Sequence, residues 1–133
     1  MTRYLLDTNI ISDLIKNPQG KAAKRIAKIG EEKICTSIIV AAELRYGSAK
    51  SGSQRLRKAV DDLLGEISIS PFEVPADAEY GVARAELEAA GTPIGGNDML
   101  IAAHARAIGA TLVTANTSEF KRIRGLKVEN WLT

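Results

Sequence analysis

Short apolar runs that alternate with longer amphipathic stretches constrain this chain more than any other feature. Arg3-Tyr4-Leu5-Leu6, Lys33-Ile34-Cys35-Thr36, Ile67-Ser68-Ile69 and Thr111-Leu112-Val113-Thr114 read as strands. Between them apolar residues recur at helical spacing. Ile10, Ile11, Leu14 and Ile15 follow the first run, and Ala22, Ile26 and Ile29 mark a helix over Lys21 to Ile29. Ser37 caps a third helix through Tyr46, Gln54 to Leu64 gives a fourth, and Tyr80, Ala83, Leu87 and Ala90 stripe a fifth from Pro75 to Ala90. Asn97 caps the last, which runs to Ile108 and stops at Gly109. Strands separated by helices pair in parallel, because a parallel connection needs a long crossover. The pattern predicts an α/β chain: a three-layer α/β/α domain around a central, mainly parallel sheet.

A length of 133 residues suits a single domain spanning 1–133 with its own core. The hydrophobic share of 45% and charged share of 26% exclude disordered and fibrous classes. A lone cysteine, Cys35, excludes an intramolecular disulfide and reads as a buried, inert thiol within an apolar run. No run approaches the ~18–20 apolar residues of a spanning helix, and the N-terminus reaches an aspartate at once, unlike a signal peptide. A cytoplasmic protein without membrane contact is expected. The net charge of +2 identifies no nucleic-acid partner by itself. The cations are clustered, however: Lys16, Lys21, Lys24, Arg25 and Lys28 early, Lys121, Arg122, Arg124 and Lys127 late.

Acidic residues stand where these elements begin or end. Asp7 follows the first strand, Glu43 lies on a helix face shared with Ile39, Val40, Tyr46 and Gly47, and Asp98 begins the last helix. Asn116 and Glu119 follow the last strand. Singly, each has an ordinary reading: Asp7 a helix cap, Asp98 a charge favoured by the helix dipole, Glu43 a snorkelling edge residue, Asn116 a turn residue, Glu119 a surface acid. Together they fall where one crevice at the carboxyl ends of a parallel sheet could collect them, and carboxylates so placed suit a hard metal ion.

Four segments carry a resemblance: Leu5-Leu6-Asp7-Thr8-Asn9, Glu43-Leu44-Arg45-Tyr46-Gly47, Gly95-Gly96-Asn97-Asp98-Met99 and Leu112-Val113-Thr114-Ala115-Asn116-Thr117-Ser118-Glu119-Phe120. In this order and at these separations the chain resembles PIN-domain ribonucleases, and within them the VapC and FitB-like toxins of type II toxin–antitoxin systems. The resemblance covers nearly the whole chain. It implies a Mg²⁺-dependent endoribonuclease, with Mn²⁺ as a possible substitute, that cuts structured RNA such as tRNA. It further implies a homodimer held in check by a cognate antitoxin. Asp7, Glu43 and Asp98 would form the acidic core, with Asp7 and Asp98 as metal ligands and Glu43 and Glu119 holding waters. Many members carry an aspartate where this chain has Asn116; its amide oxygen can still ligate a hard ion or bond a metal-bound water, and Glu119 one turn on can restore the charge, so the fourth catalytic corner is divided between Asn116 and Glu119. An inactive PIN-like binding module is the alternative implied by that departure.

Water attack at a metal leaves 5′-phosphate and 3′-hydroxyl ends. A metal-free ribonuclease would need acid and base groups, commonly histidines, and the chain has only His104, which the helix periodicity turns away from Asp98. It is expected to be structural or solvent-facing. An aspartyl-phosphate phosphatase would need a second acid two residues after Asp7, where Asn9 stands. Thr8 and Thr114 are candidates for positioning water or phosphate. Tyr46, Phe72 and Phe120 are expected in the core rather than stacked on a base.

Overall fold

Leu5 and Leu6 are completely shielded from solvent because their strand lies in the middle of a five-stranded parallel sheet. The computed structural model describes residues 2–133. Its strands are β1 (Tyr4–Leu6), β2 (Ile34–Ser37), β3 (Ser68–Ser70), β4 (Thr111–Val113) and β5 (Val128–Glu129), in the order β3-β2-β1-β4-β5. Tyr4 pairs with Ile34 on one side and Thr111 on the other, and Leu6 with Thr36 and Val113. Strands buried on both faces read as apolar runs rather than alternating ones, as β1 and β4 do, whereas the edge strand β3 alternates and is only partly covered.

The helices are α1 (Thr8–Lys16), α2 (Lys21–Ile29), α3 (Ile38–Ser51), α4 (Gln54–Glu66), α5 (Ala76–Ala89), α6 (Gly96–Ala107) and the single turn α7 (Thr117–Phe120). They flank the sheet as the crossover argument requires, α5 packed along α6 and α3 along α4. Ser37 caps α3 as expected, its hydroxyl accepting from the Ile39 N–H at 3.0 Å. That helix runs on past Tyr46 to Ser51 and ends at Gly52, whose φ of 69° a side chain would disfavour. Asn97 is not the cap of α6: the N-cap is Gly95 and makes no side-chain bond, leaving the Asn97 amide free for another partner.

Two elements escape the periodicity. The single turn of α7 and the two-residue β5 are too short to show a period. Both matter, since Phe120 is fully buried and Trp131, just beyond β5, packs its ring 5.2 Å from that of Tyr4. Phe120 is therefore core, as expected, whereas Tyr46 is 66% exposed, against expectation. Cys35 is buried, and burial pushes its thiol pKa up. No helix among the described residues is long and apolar enough to cross a membrane.

His104 is buried, which excludes the solvent-facing option. Its Nδ1 meets the Ser37 hydroxyl at 2.7 Å and its Nε2 the Ser70 hydroxyl at 3.1 Å, while Phe72 packs against its ring edge-on. Burial and then the charge of Arg3 hold its pKa below the ordinary histidine value. With both nitrogens engaged it joins β2, β3 and α6 as a neutral structural group.

Candidate active site

The strand order places β1 between β2 and β4, so the connections leaving β1 and arriving at β4 part on opposite sides. Open parallel sheets bind ligands at that switch point, beyond the carboxyl ends of the strands. Asp7 and Thr114 stand there. The Asp7 N–H donates to the Val113 carbonyl at 2.9 Å and the Thr114 N–H to the Glu129 carbonyl at 2.9 Å, so the ladder carries both residues one step past the strands.

Asp7 is 3% exposed. Its Oδ1 accepts from the Thr8 N–H at 2.8 Å, which makes it the cap of α1 as well as a site carboxylate. Its Oδ2 accepts from the Thr114 hydroxyl at 2.8 Å and from the Asn9 amide at 3.3 Å. Burial raises its pKa and the Glu43 charge raises it further, against the bonds from Thr114, Thr8 and Asn9 that favour the anion. The loop after β4 is tied to the loop after β1 through Asn9, whose Oδ1 accepts from the Ala115 N–H at 3.0 Å. In the sequence Asn9 stands out only as an absent acid. Its use here depends on an amide being donor and acceptor at once, which an aspartate cannot be. Asn9→Ala should therefore lower stability by about 1 kcal/mol and reduce the activity of the site several-fold, read from a thermal melt and an activity assay. Unchanged activity with a lowered melt would assign Asn9 to folding alone.

Glu43 is half-buried rather than enclosed, for Tyr46 and Gly47 on its face are exposed. Its carboxylate is nonetheless held at both oxygens: Oε1 accepts from the Thr8 hydroxyl at 2.8 Å and Oε2 from the Asn97 amide at 3.2 Å. Asn97 thus positions Glu43 instead of capping α6. Asp98, in the first turn of α6, has its carboxyl pushed up to about 6 by burial and then by the charges of Asp7, Glu119 and Glu43. All four acidic residues expected at the site therefore act on one region. Asn116 joins it through its backbone, with its N–H donating to the Thr114 hydroxyl at 3.0 Å. Its side chain is exposed and makes no hydrogen bond among the described residues.

Among the described residues no lysine, arginine or histidine pairs with any of these four carboxylates. Negative charge gathered in a partly dry crevice without a counter-ion is the condition a bound cation relieves. No three His, Cys, Asp or Glu side chains among the described residues converge closely enough to cage an ion.

A model of the PIN domain matches residues 4–126. The chain belongs to the PIN domain family. Within that family it is similar to the ribonuclease VapC2 of Haemophilus influenzae, 39% identical over 133 residues that cover 99% of this chain and all of the relative. It is also 36% identical to the tRNA(fMet)-specific endonuclease VapC of Shigella flexneri, across 98% of this chain and 99% of that one. The solved DNA-bound VapBC of Salmonella typhimurium superposes with a TM-score of 0.90 at 34% identity, covering 98% of this chain and 99% of that one. VapBC2 of Rickettsia felis, bound to a DNA fragment from its promoter, gives 0.88 at 38% identity with the same coverage. This PIN domain chain is a ribonuclease of the VapC type, and its sheet is the parallel one anticipated from the alternating runs.

Proposed function

We propose that this ribonuclease is the toxin of a type II toxin–antitoxin pair, acting as a single domain in the cytoplasm, and that it hydrolyses RNA at the crevice of Asp7, Glu43, Asp98 and Glu119 with Mg²⁺ or Mn²⁺. The observation that carries the reading is a set of four carboxylates with no paired cation among the described residues, of which Asp7, Glu119 and Glu43 act with burial to push the Asp98 carboxyl up to about 6. A hard cation bound there supplies an activated water and offsets charge building on the phosphate.

The chain's own groups then have distinct tasks. Asp7 and Asp98, from the end of β1 and the start of α6, are the ligands. Glu43, oriented by Thr8 and Asn97, holds a water, and Glu119 holds another. Thr114 and Asn9 keep Asp7 aimed into the crevice. Asn116 contributes its backbone and leaves the fourth charge to Glu119. His104 takes no part, since both its nitrogens are engaged with buried or half-buried serines.

The names of two relatives specify tRNA(fMet), and structured RNA such as tRNA is the proposed substrate. The VapBC assemblies of Salmonella and Rickettsia support a cognate antitoxin, and a homodimer is proposed with it. The test is incubation of wild type and Asp7→Asn with total RNA, with Mg²⁺, with Mn²⁺ and with chelator. Cleavage is expected from wild type with metal alone; equal cleavage by the variant would sink the proposal.

RNA approaching an acidic crevice needs flanking cations. Lys121, Arg122 and Arg124 follow Glu119 closely and are all exposed. Reversing all three to glutamate should weaken RNA binding and flatten its dependence on log salt by about 2–3, roughly 0.7–0.9 for each phosphate no longer neutralised, with metal affinity nearly unchanged. An unaltered salt slope would remove these residues from the substrate path.

A further inference from the structure

The segment Glu43-Leu44-Arg45-Tyr46-Gly47 is only partly used by the acidic crevice. A spacing of three along α3 sets Tyr46 beside Glu43. Tyr46, 66% exposed at the edge of the site, presents a large aromatic surface to solvent. It borders a cleft of about 580 Å³ that is lined by Ile39, Ala42 and Leu100 and shares Thr8, Glu43 and Asn97 with the acidic site. The Lys50 ammonium lies 5.8 Å from the centre of the Tyr46 ring. The Asn97 amide donates to Glu43, and a carboxylate can only accept, so the orientation of that amide is fixed and its oxygen is left to accept another bond.

We propose that this cleft is a nucleobase subsite, taking the base of a nucleotide next to the bond that is cut. Apolar walls and an exposed phenol suit the face of a planar ring, the Asn97 amide suits its hydrogen-bonding edge, and Lys50 suits the phosphate attached to it. A purely aliphatic occupant would use the walls and neglect both polar groups. Continuity with the acidic site makes the occupant an extension of whatever is cut there, so the inference rests on the RNA reading above. Stacking tolerates any base, and the subsite therefore contributes affinity first and sequence preference second.

The experiment uses the purified full chain with Mg²⁺ and a synthetic RNA spanning a cleavage position mapped in total RNA, together with the same RNA made abasic at each nucleotide flanking the cut. Tyr46→Ala should raise KM about tenfold with kcat changed less than about threefold, and Tyr46→Phe should restore KM. One abasic substrate should raise the wild-type KM similarly, and on that substrate Tyr46→Ala should add no further loss. An unchanged KM for Tyr46→Ala, or the same penalty on intact and abasic RNA, would overturn the subsite. So would a loss confined to kcat and accompanied by altered sedimentation, which would assign Tyr46 to a subunit contact. Failure of wild type to cut any RNA would instead overturn the function proposed above, so the two failures are distinguishable.

Discussion

Asp7→Asn should lower RNA cleavage by at least about a thousandfold in kcat/KM while leaving the chelated protein as resistant to heat as the wild type. The first effect follows from the role proposed for Asp7: a carboxylate cannot itself stabilise negative charge building on a phosphorane, so its contribution runs through the hard cation it is proposed to hold, and an amide brings that cation no charge. The second follows from the geometry. Asn retains an oxygen for the Thr8 N–H that Asp7 Oδ1 now accepts at 2.8 Å, so the cap of α1 survives. Burial already disfavours the Asp7 anion, so replacing it with a neutral amide removes a desolvation cost in the metal-free protein, which offsets the acceptor that Thr114 and Asn9 lose at Oδ2. A variant that melts several degrees lower would show that Asp7 stabilises the fold rather than serving only the site. Circular dichroism melts in chelator, alongside the cleavage assay, check both halves.

Asp98→Asn should also abolish cleavage and, unlike most substitutions, should stabilise the metal-free chain. The folded carboxyl titrates at about 6 against 3.8 for an unperturbed group. A raised carboxyl favours the protonated form on folding. Its stabilising contribution is present below about 3.8 and is lost as pH rises through about 6, so at neutral pH the folded state carries the penalty of an ionised, crowded Asp98. Asp98 is half-buried, and solvent screening reduces the full linkage value to about 1 kcal/mol. In a chain of this size that is about 3 °C in Tm. The gain should appear in chelator at pH 7, shrink towards pH 4, and reverse when Mg²⁺ is added, because wild type then binds a ligand that the variant cannot hold. An equal melting temperature for the two proteins at pH 7 in chelator would contradict the crowded-carboxylate description of the site.

The fold was legible because its strands and helices differ in period. Leu5 and Leu6 or Leu112 and Val113 have no polar alternation, which marks strands covered on both faces, and the helices between them force parallel pairing. That the candidate acids gather was legible from their places at the ends of elements, and the charges of Asp7, Glu43 and Glu119 do all reach Asp98; Asp7 alone was ambiguous, since it also caps α1. The parts that were not legible depend on side chains far apart in sequence. Nothing local announces that Asn97 turns from capping its own helix to holding Glu43, or that Asn9 ties Asp7 to the loop after β4. Tyr46 misled because its helical spacing resembles that of a core residue, and periodicity cannot tell a buried stripe from one that lines an open cleft. The short β5 depends on pairing with β4 and packing at Trp131 rather than on any pattern of its own.

The central claim is that water, activated at the acidic crevice, attacks the phosphodiester directly. It is tested most directly by the chemistry of the product ends. RNA cut by the purified wild-type chain in Mg²⁺ should carry 5′-phosphates and 3′-hydroxyls, with ends that ligate to adaptors without enzymatic repair. Fragments ending in 2′,3′-cyclic phosphate with 5′-hydroxyls would mean that the ribose 2′-hydroxyl is the nucleophile, and would contradict the account.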